Sequence, residues 1–424
     1  MRKIRAVGRF LRFHGVHMRS RGTIEAWQED VMRMLVPYLV ANVPLYQELL
    51  EACSVNPAHI VHLKDLALLP VTGKQTFLGR FVEEYTDRGA PLRGRWVETS
   101  GTSGTPFIPL RRPQVNMLWY GDSLYYRFLA WKKPWRFSAD WVRVAHIRAL
   151  PRNRKNHFVV SIHDFLNDQE AAVRRLADFK PDVLESHASI LYELAHAVQS
   201  LRIPLHPKYV VSGSEQLLPA ARLLIEKTLK CEVYDRYGLE EFGTVGIECE
   251  AHEGFHVNVE SFIVEIVDGT GIPLPEGSHG RVLITDLFNN QMPFIRYETG
   301  DHGRISWAPC QCGLHAQRLW IEGRHSASIA VGDKRYHHFE FGVILDSFMS
   351  QFLHYQIVKR GENELTIRIV PGPAFSQETI TAVEEKVSAL VGPAITVKIE
   401  CVPRISRVPR GKSRIVVDET APTG

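Results

Sequence analysis

A short segment of the chain, residues 98–106, has the composition of a phosphate-binding loop. Glycines let backbone N–H groups turn toward an anion, and serine and threonine hydroxyls add donors that rotate onto its oxygens. The segment is not the ordinary P-loop, because no Lys-Ser/Thr pair follows its second glycine. By itself it is also compatible with a solvated turn. The loop consists of Thr99, Ser100, Gly101, Thr102, Ser103, Gly104 and Thr105, followed by Pro106.

Two further turns carry carboxylates. In the run Glu232–Gly243 a strand leads into a glycine turn with Glu240 and Glu241, where a carboxylate can present an oxygen ligand to Mg²⁺. Asp301 follows Thr299-Gly300, a position suited to accepting hydrogen bonds from two ribose hydroxyls. A Thr-Gly-Asp triplet is also typical of an ordinary β-turn.

Four residues have the types and spacing of a metal site. Three thiols and an imidazole would complete a tetrahedral structural zinc site with no open position. His252 competes for the histidine place, and the alternative is that the cysteines are reduced thiols near turns. The predicted zinc ligands are Cys249, His256, Cys310 and Cys312.

The elements that must position these residues alternate along the chain. Between residues 108 and 210, strand-like runs alternate with helical ones, and the run Tyr209–Val211 ends in the turn Gly213-Ser214-Glu215 before a helix at Pro219–Leu229. This order predicts an α/β sheet with ligands at the carboxyl ends of its strands. Residues 256–285 are strand-rich and predict a smaller barrel-like subdomain.

The last hundred residues predict a separate unit. A hairpin over residues 355–370, a helix capped by Ser376 and a strand over residues 395–399 form a small α+β domain. The sequence therefore predicts an α/β fold with two domains. Residues 1–323 form a large domain with mixed sheets and a β-rich subdomain, and residues 324–424 form a small mobile lid.

Composition excludes several classes of protein. The chain has 424 residues, of which 45% are hydrophobic and 23% charged, and its net charge of +4 is too small to indicate nucleic-acid binding. No apolar run is long enough to span a membrane, and the basic N-terminus lacks the features of a secretory signal. Six cysteines in a chain of this length favour a reducing cytoplasm over a disulfide scaffold.

Taken in order, these motifs resemble the adenylate-forming superfamily of acyl-CoA synthetases, luciferases and peptide-synthetase adenylation domains. The order is residues 99–106, Tyr237-Gly238-x-x-Glu241, Tyr297-x-Thr299-Gly300-Asp301 and Gly411-Lys412. Three more segments resemble the short phenylacetate–CoA ligase-like branch, which includes members linked to capsular-polysaccharide loci. They are Val43-Pro44-Leu45-Tyr46, Leu69-Pro70-x-Thr72-x-Lys74 and Met292-Pro293-x-x-Arg296-Tyr297. Together the motifs cover nearly the whole chain.

The resemblance implies a role for each motif. The loop of residues 99–106 would hold the β- and γ-phosphates of ATP, and Glu241 would bind Mg²⁺. Asp301 would take the ribose hydroxyls near Arg324, while Tyr237, beside Gly238, stacks on the adenine. The turn Gly213-Ser214-Glu215 would flank the adenine, and Lys412 would bridge the carboxylate and the α-phosphate. The implied reaction forms an acyl-adenylate and pyrophosphate from ATP and an aryl or fatty acid, and then transfers the acyl group to a thiol such as CoA.

The chain departs from the family pattern at three places, of which the last bears on the acceptor. Phe107-Ile108 replaces a lysine that many relatives carry, and Glu240 stands where threonine or serine is usual. The segment 331–336 replaces the Arg-Gly-x-Asn segment of CoA ligases. The adenylation step is therefore better supported than the transfer of the acyl group to CoA. A carrier protein, an amine or a hydroxyl remains an alternative acceptor, and a degenerate non-catalytic nucleotide-binding homologue is the third hypothesis.

The acid itself is not encoded in a recognisable motif. His146, Ser186 and His187 are candidates for the substrate pocket, and a hydrogen-bonded core position is the alternative for each histidine. A homodimer is left open as the assembly.

Overall fold

The computed structural model describes residues 19–89, 92, 95–96, 109–111, 143–148, 157–324, 328–348, 350–405 and 415–420. The chain divides into two compact units. The first unit comprises residues 1–139 and 236–321, and the second comprises residues 140–235 and 322–424. The predicted domain division at residues 323/324 stays a prediction.

The described elements are helices, three short 3₁₀ turns and strands. The helices are α1 (Arg21–Asn42), α2 (Pro44–Ala52), α3 (Lys74–Phe77), α4 (Val82–Tyr85), α5 (Ile162–Asn167), α6 (Gln169–Phe179), α7 (Ala188–Leu201), α8 (Pro219–Leu229), α9 (His338–Leu345) and α10 (Gln377–Val391). The 3₁₀ turns are Pro57–His59, Leu63–Leu68 and Asp346–Phe348. Among the described helices, none has the length and apolar character needed to cross a bilayer.

The strands are β1 (Arg95–Trp96), β2 (Leu110–Arg111), β3 (Val144–Arg148), β4 (His157–Ser161), β5 (Val183–Ser186), β6 (Tyr209–Gly213), β7 (Glu232–Leu239), β8 (Gly243–Ile247), β9 (Phe255–Val257), β10 (Phe262–Val267), β11 (Gly280–Asp286), β12 (Tyr297–Ser306), β13 (Arg318–Arg324), β14 (Ser328–Val331), β15 (Lys334–His337), β16 (Phe352–Gly361), β17 (Glu364–Pro371), β18 (Thr396–Cys401) and β19 (Val416–Asp418).

The first unit is built on strands in the order β10-β11-β12-β13-β9-β8, continued by the end of β7. Helices α1 and α2 contribute buried apolar residues such as Ile24, Met32 and Leu45 to the same core as Phe262 and Phe294. The sequence predicts helical structure over residues 23–50, with Thr23 as a possible cap and with bends at Pro37 and Pro44. In the structure the first helix begins after Ser20, continues through Pro37 and ends before Val43. Pro44 causes this end, because the residue before proline is disfavoured in the helical region.

The second unit contains a parallel sheet and a separate α+β part. The strands β6, β5, β3 and β4 are neighbours in that order, and their pairings are parallel. A four-stranded sheet of order β18-β17-β16-β19 packs with α10 in the same hydrophobic core. The predicted hairpin, helix and final strand are confirmed, as is the α/β fold class with a large mixed sheet and a second, smaller sheet.

Candidate active site

Two tyrosines and two carboxylates in the first unit form a reciprocal arrangement. The Tyr237 hydroxyl donates to Oδ2 of Asp301 at 2.6 Å, and the Tyr297 hydroxyl donates to Oε1 of Glu241 at 2.9 Å. Each tyrosine stands four residues before the carboxylate of its own segment and bonds to the carboxylate of the other. We call these the reciprocal pairs. They join the segments that carry Glu241 and Asp301, which are both buried and lie far apart in sequence.

Aromatic packing fixes the first of these segments against the second. Phe242 follows Glu241, and its ring lies edge-on to Tyr297 at 5.7 Å between centroids. Phe294 also packs edge-on against Tyr297, at 5.0 Å. Edge-to-face pairs of this kind add about 0.5–1.5 kcal/mol beyond their buried area. The carboxylate of Glu241 is therefore attached to a rigid part of the fold.

Gly238 allows the carboxylate turn to close. A Cβ at this position would lie 2.3 Å from the carbonyl oxygen of Gly243, so β7 and β8 could not approach at the bulge they form here. We expect Gly238→Ala to lower the free energy of unfolding by about 1–3 kcal/mol through overpacking. Urea unfolding measures this, with Gly269→Ala as control, because a Cβ there meets nothing within 4 Å. Equal stability of the two variants would contradict the prediction.

Arg296, part of a branch-specific motif, has a structural role next to Tyr297. Its side chain is 2% exposed, pairs with Glu265 at 3.2 Å and donates to the carbonyls of Leu69 and Gly271. Burial raises the pKa of Glu265, and the charge of Arg296 opposes that shift. The backbone of Arg296 also accepts a hydrogen bond from the N–H of Thr72. Arg296 thus joins the Leu69–Lys74 motif to the strand that carries Tyr297 and Asp301.

We expect Arg296→Met to cost about 3–5 kcal/mol of unfolding free energy, because it leaves the buried Glu265 without its charged partner. The matched control is Arg80→Met, which breaks an ion pair with the exposed Glu48 and should cost less than about 1 kcal/mol. Urea unfolding of both variants measures the difference. Equal losses of unfolding free energy in the two variants would contradict the prediction that the buried pair contributes more to stability than the exposed pair.

The carboxyl ends of β3, β5 and β6 meet in the second unit. The Ser186 hydroxyl donates to the carbonyl of Ile147 at 2.7 Å, and His187 Nδ1 lies 3.4 Å from the carbonyl oxygen of Gly213. Glu215 accepts a hydrogen bond from the backbone N–H of Ser189 at 3.0 Å, in the first turn of α7. Ser214 has a positive φ of 69°. The predicted turn Gly213-Ser214-Glu215 is therefore joined to the predicted pocket residue His187 and to the start of α7, while Ser186 bonds to β3.

His146 lies one strand further along this sheet and is buried. Its Nε2 is 3.1 Å from Nδ1 of His157, and its Nδ1 is 3.5 Å from a carboxylate oxygen of Glu185. The residue is 2% exposed. This matches the alternative of a hydrogen-bonded core histidine, and substrate contact by His146, Ser186 and His187 stays a prediction.

The predicted zinc ligands converge in the first unit. The ligand atoms of Cys249, His256, Cys310 and Cys312 all lie within 4.8 Å of one another. Sγ of Cys249 is 3.6 Å from Sγ of Cys310, and Sγ of Cys312 is 3.3 Å from Nε2 of His256. Tetrahedral Zn²⁺ with Zn–S bonds of about 2.3 Å requires ligand separations of roughly 3.8 Å. The four residues fit that ion, and the sulfur separation exceeds a disulfide bond.

Surrounding contacts distinguish His256 from His252. His252 lies outside the cluster, with its Nδ1 3.1 Å from a carboxylate oxygen of Glu248.

Cys312 and burial raise the pKa of the Cys249 thiol to about 12, and burial raises the pKa of Cys310. A bound divalent cation would act in the opposite direction on these thiol pKa values, since a coordinating thiol is deprotonated.

Sequence comparisons identify relatives of one kind. No family model matches the chain. A phenylacetate–coenzyme A ligase of Thermus thermophilus is 27% identical over 365 residues, which is 81% of this chain and 80% of the relative. A phenylacetate–coenzyme A ligase of Pseudomonas putida is 27% identical over 66% of each chain.

Solved structures show the same fold. A 2-hydroxyisobutyryl-CoA ligase in the postadenylation state, in complex with R3-HIB-AMP, aligns with a TM-score of 0.72 at 18% identity, covering 95% of this chain and 91% of that one. The chain is similar in sequence to phenylacetate–coenzyme A ligases and has the fold of this solved CoA ligase. A benzoate CoA ligase of Burkholderia xenovorans aligns with a TM-score of 0.50 at 15% identity, covering 77% of this chain and 69% of that one.

Several residues implied by the resemblance to the adenylate-forming superfamily lie outside the described residues. These are the whole loop Thr99–Thr105 and Lys412. Arg324 ends β13, and only its backbone is described. Sequence reasoning missed the partner of Glu241, although Tyr297 stood in a quoted motif. The only available signal was that both segments space a tyrosine four residues before a carboxylate.

Proposed function

We propose that this adenylate-forming homologue is an AMP-forming acid–thiol ligase. It activates a carboxylic acid with ATP, releases pyrophosphate and transfers the acyl group from the acyl-adenylate to a thiol such as CoA. The observation that carries the proposal is that the reciprocal pairs join the segments of Glu241 and Asp301. The ligase names of the sequence relatives support the same reaction.

The chemistry of acyl transfer explains why the carboxylic acid must first be activated. A carboxylate is a poor acyl donor because its leaving group would be oxide. When its oxygen bonds to the α-phosphorus of ATP, the bond to the β-phosphate oxygen breaks and pyrophosphate leaves with the electron pair. The acyl carbon then accepts the sulfur of the thiol, and AMP leaves with the electrons of the carbon–oxygen bond. The first attack brings two anions together, so preorganised positive charge must offset their repulsion.

We assign roles to residues on this basis. Glu241 is the ligand for Mg²⁺, which when bound neutralises charge on the phosphates, and a buried carboxylate oxygen suits this hard cation. Asp301 binds the ribose hydroxyls, and its Oδ2 already accepts the Tyr237 hydroxyl. Tyr237 stacks on the adenine, and Gly213-Ser214-Glu215 is the turn assigned to the adenine by the same resemblance. The loop Thr99–Thr105 binds the phosphates, and Lys412 and Arg324 act on the α-phosphate and the ribose.

Acid-dependent ATP–pyrophosphate exchange tests the activation step. Labelled pyrophosphate should enter ATP only when the right member of a panel of aryl, hydroxy and fatty acids is present. Lys412→Ala should lower the exchange by on the order of 10²–10³-fold, the usual cost of one preorganised charge. Bound ATP with no exchange for any acid would overturn the proposal and favour the non-catalytic homologue.

The acceptor has a second candidate. The segment that replaces the Arg-Gly-x-Asn of CoA ligases forms the hairpin β14–β15, which turns at Gly332 with a φ of 57°. An amine or hydroxyl acceptor is consistent with this difference. Mass analysis of products formed with CoA, a carrier protein and simple amines separates the two. A thioester with CoA supports the first candidate, and an amide supports the second.

We further propose that Cys249, His256, Cys310 and Cys312 bind one structural Zn²⁺. The fit of their separations and the chemistry of a Cys₃His set support this. All four positions are supplied by protein, so the ion would have no place for substrate. Reduced thiols also suit a cytoplasmic protein, which is the location we propose. A homodimer stays a prediction.

A further inference from the structure

One oxygen of Glu241 is oriented by a phenol. The Tyr297 hydroxyl donates to Oε1 at 2.9 Å, and both residues are buried. A carboxylate that binds a metal ion is typically hydrogen-bonded by a second residue, which fixes its orientation. A phenol is neutral, so it favours the ionised carboxylate without cancelling the charge that a cation needs.

Tyr297 itself has little freedom. Its backbone pairs with Ile284 of β11 on one side and forms a bridge with Thr72 on the other. Its ring packs edge-on against both Phe242 and Phe294. The hydroxyl is thus held at a fixed place, and its hydrogen bond orients the carboxylate of Glu241 through Oε1.

We propose that Tyr297 is a positioning residue for the divalent cation, because it fixes the carboxylate of Glu241. The proposal rests on the function proposed above, in which Glu241 holds Mg²⁺. Tyr237 has the corresponding position on the nucleotide side, because it bonds to Asp301. The two tyrosines therefore separate two effects: Tyr297 supports the metal, and Tyr237 supports the ribose.

The test uses the full chain and requires no acid substrate. The dissociation constant of α,β-methylene-ATP is measured by calorimetry without divalent ion and again with Mn²⁺, and the ratio gives the gain in affinity from the metal. Tyr297→Phe keeps the packed ring and removes only the hydroxyl. We expect the variant to bind the nucleotide without metal within about twofold of the unmodified chain. We expect the gain in nucleotide affinity from Mn²⁺ to fall by about 10- to 100-fold. Electron paramagnetic resonance of bound Mn²⁺ provides the second readout.

Tyr237→Phe is the matched variant, since it also removes one phenol from one carboxylate. It should weaken nucleotide binding with and without Mn²⁺ by the same factor and leave the gain unchanged. If Tyr297→Phe keeps the full gain in nucleotide affinity from Mn²⁺ while Glu241→Gln loses it, the role of Tyr297 is overturned and the role of Glu241 stands. An unchanged gain in Glu241→Gln would show that Glu241 does not hold the ion, and would overturn this inference and the metal assignment together. Circular dichroism spectra confirm that each variant is folded.

Discussion

Glu241→Gln is expected to reduce acid-dependent ATP–pyrophosphate exchange by on the order of 10²–10³-fold. The substitution keeps the size of the side chain and its ability to accept a hydrogen bond from Tyr297. It removes the charge that would hold the cation beside the phosphates. The loss should appear in the exchange rate at saturating ATP, and raising the concentration of Mg²⁺ should recover part of it, because the site then binds the ion weakly.

Glu240→Gln is the matched control, because it makes the same change one residue earlier in the same turn. Glu240 is less buried than Glu241. We expect its exchange rate to stay within about fivefold of the unmodified chain, since the substitution leaves the carboxylate of Glu241 in place. The reverse ranking of the two variants would assign the metal to Glu240 and contradict the role given to Glu241.

Local patterns predicted the elements around the site well. The helix Pro219–Leu229 has the predicted bounds, because Pro219 starts it and the apolar residues keep helical spacing. The hairpin and helix of the last part of the chain were also read from local signals, with Gly361 and Glu364 at the turn and Ser376 before the helix. Such features depend on neighbours in sequence and need no knowledge of the sheet.

Pairings between distant segments could not be read in the same way. Tyr297 and Glu241 are 56 residues apart, and their contact depends on the order and register of the strands that carry them. Tyr237 was assigned to the adenine from the family motif, and its bond to Asp301 was not predicted. The motif residue Arg296 stabilises three segments, which only the fold reveals.

The histidine of the predicted zinc site shows the same limit. Spacing alone allowed His252 or His256, since both follow Cys249 at distances seen in metal sites. The choice follows from β9, in which His256 pairs with Arg318 of β13 and so lies near Cys312, which precedes that strand. Arg318 donates to the side chain of Glu253 and to the carbonyl of Ala308, joining the two loops that carry the cysteines.

Cys312→Ser is expected to lower the zinc content of the purified chain from about one ion per chain to nearly none. Removal of one ligand from a closed tetrahedral site leaves three donors and an open position, so the ion is lost more readily. Structural zinc contributes apparent binding free energies of about 10–16 kcal/mol in zinc-finger peptides, and that binding stabilises the fold. We therefore expect a fall of several kcal/mol in the free energy of unfolding, measured with urea at fixed free zinc.

Cys53→Ser is the control, because Cys53 is exposed and lies outside the cluster. It should retain its zinc and its stability. A chelator should lower the stability of the unmodified chain to that of Cys312→Ser and leave Cys312→Ser itself unchanged, since that variant has no ion to lose. The contrary result is an unmodified chain that contains no zinc after purification with zinc in the medium and whose free energy of unfolding is unchanged by the chelator. In that case the four residues are reduced thiols and an imidazole that pack together without a metal.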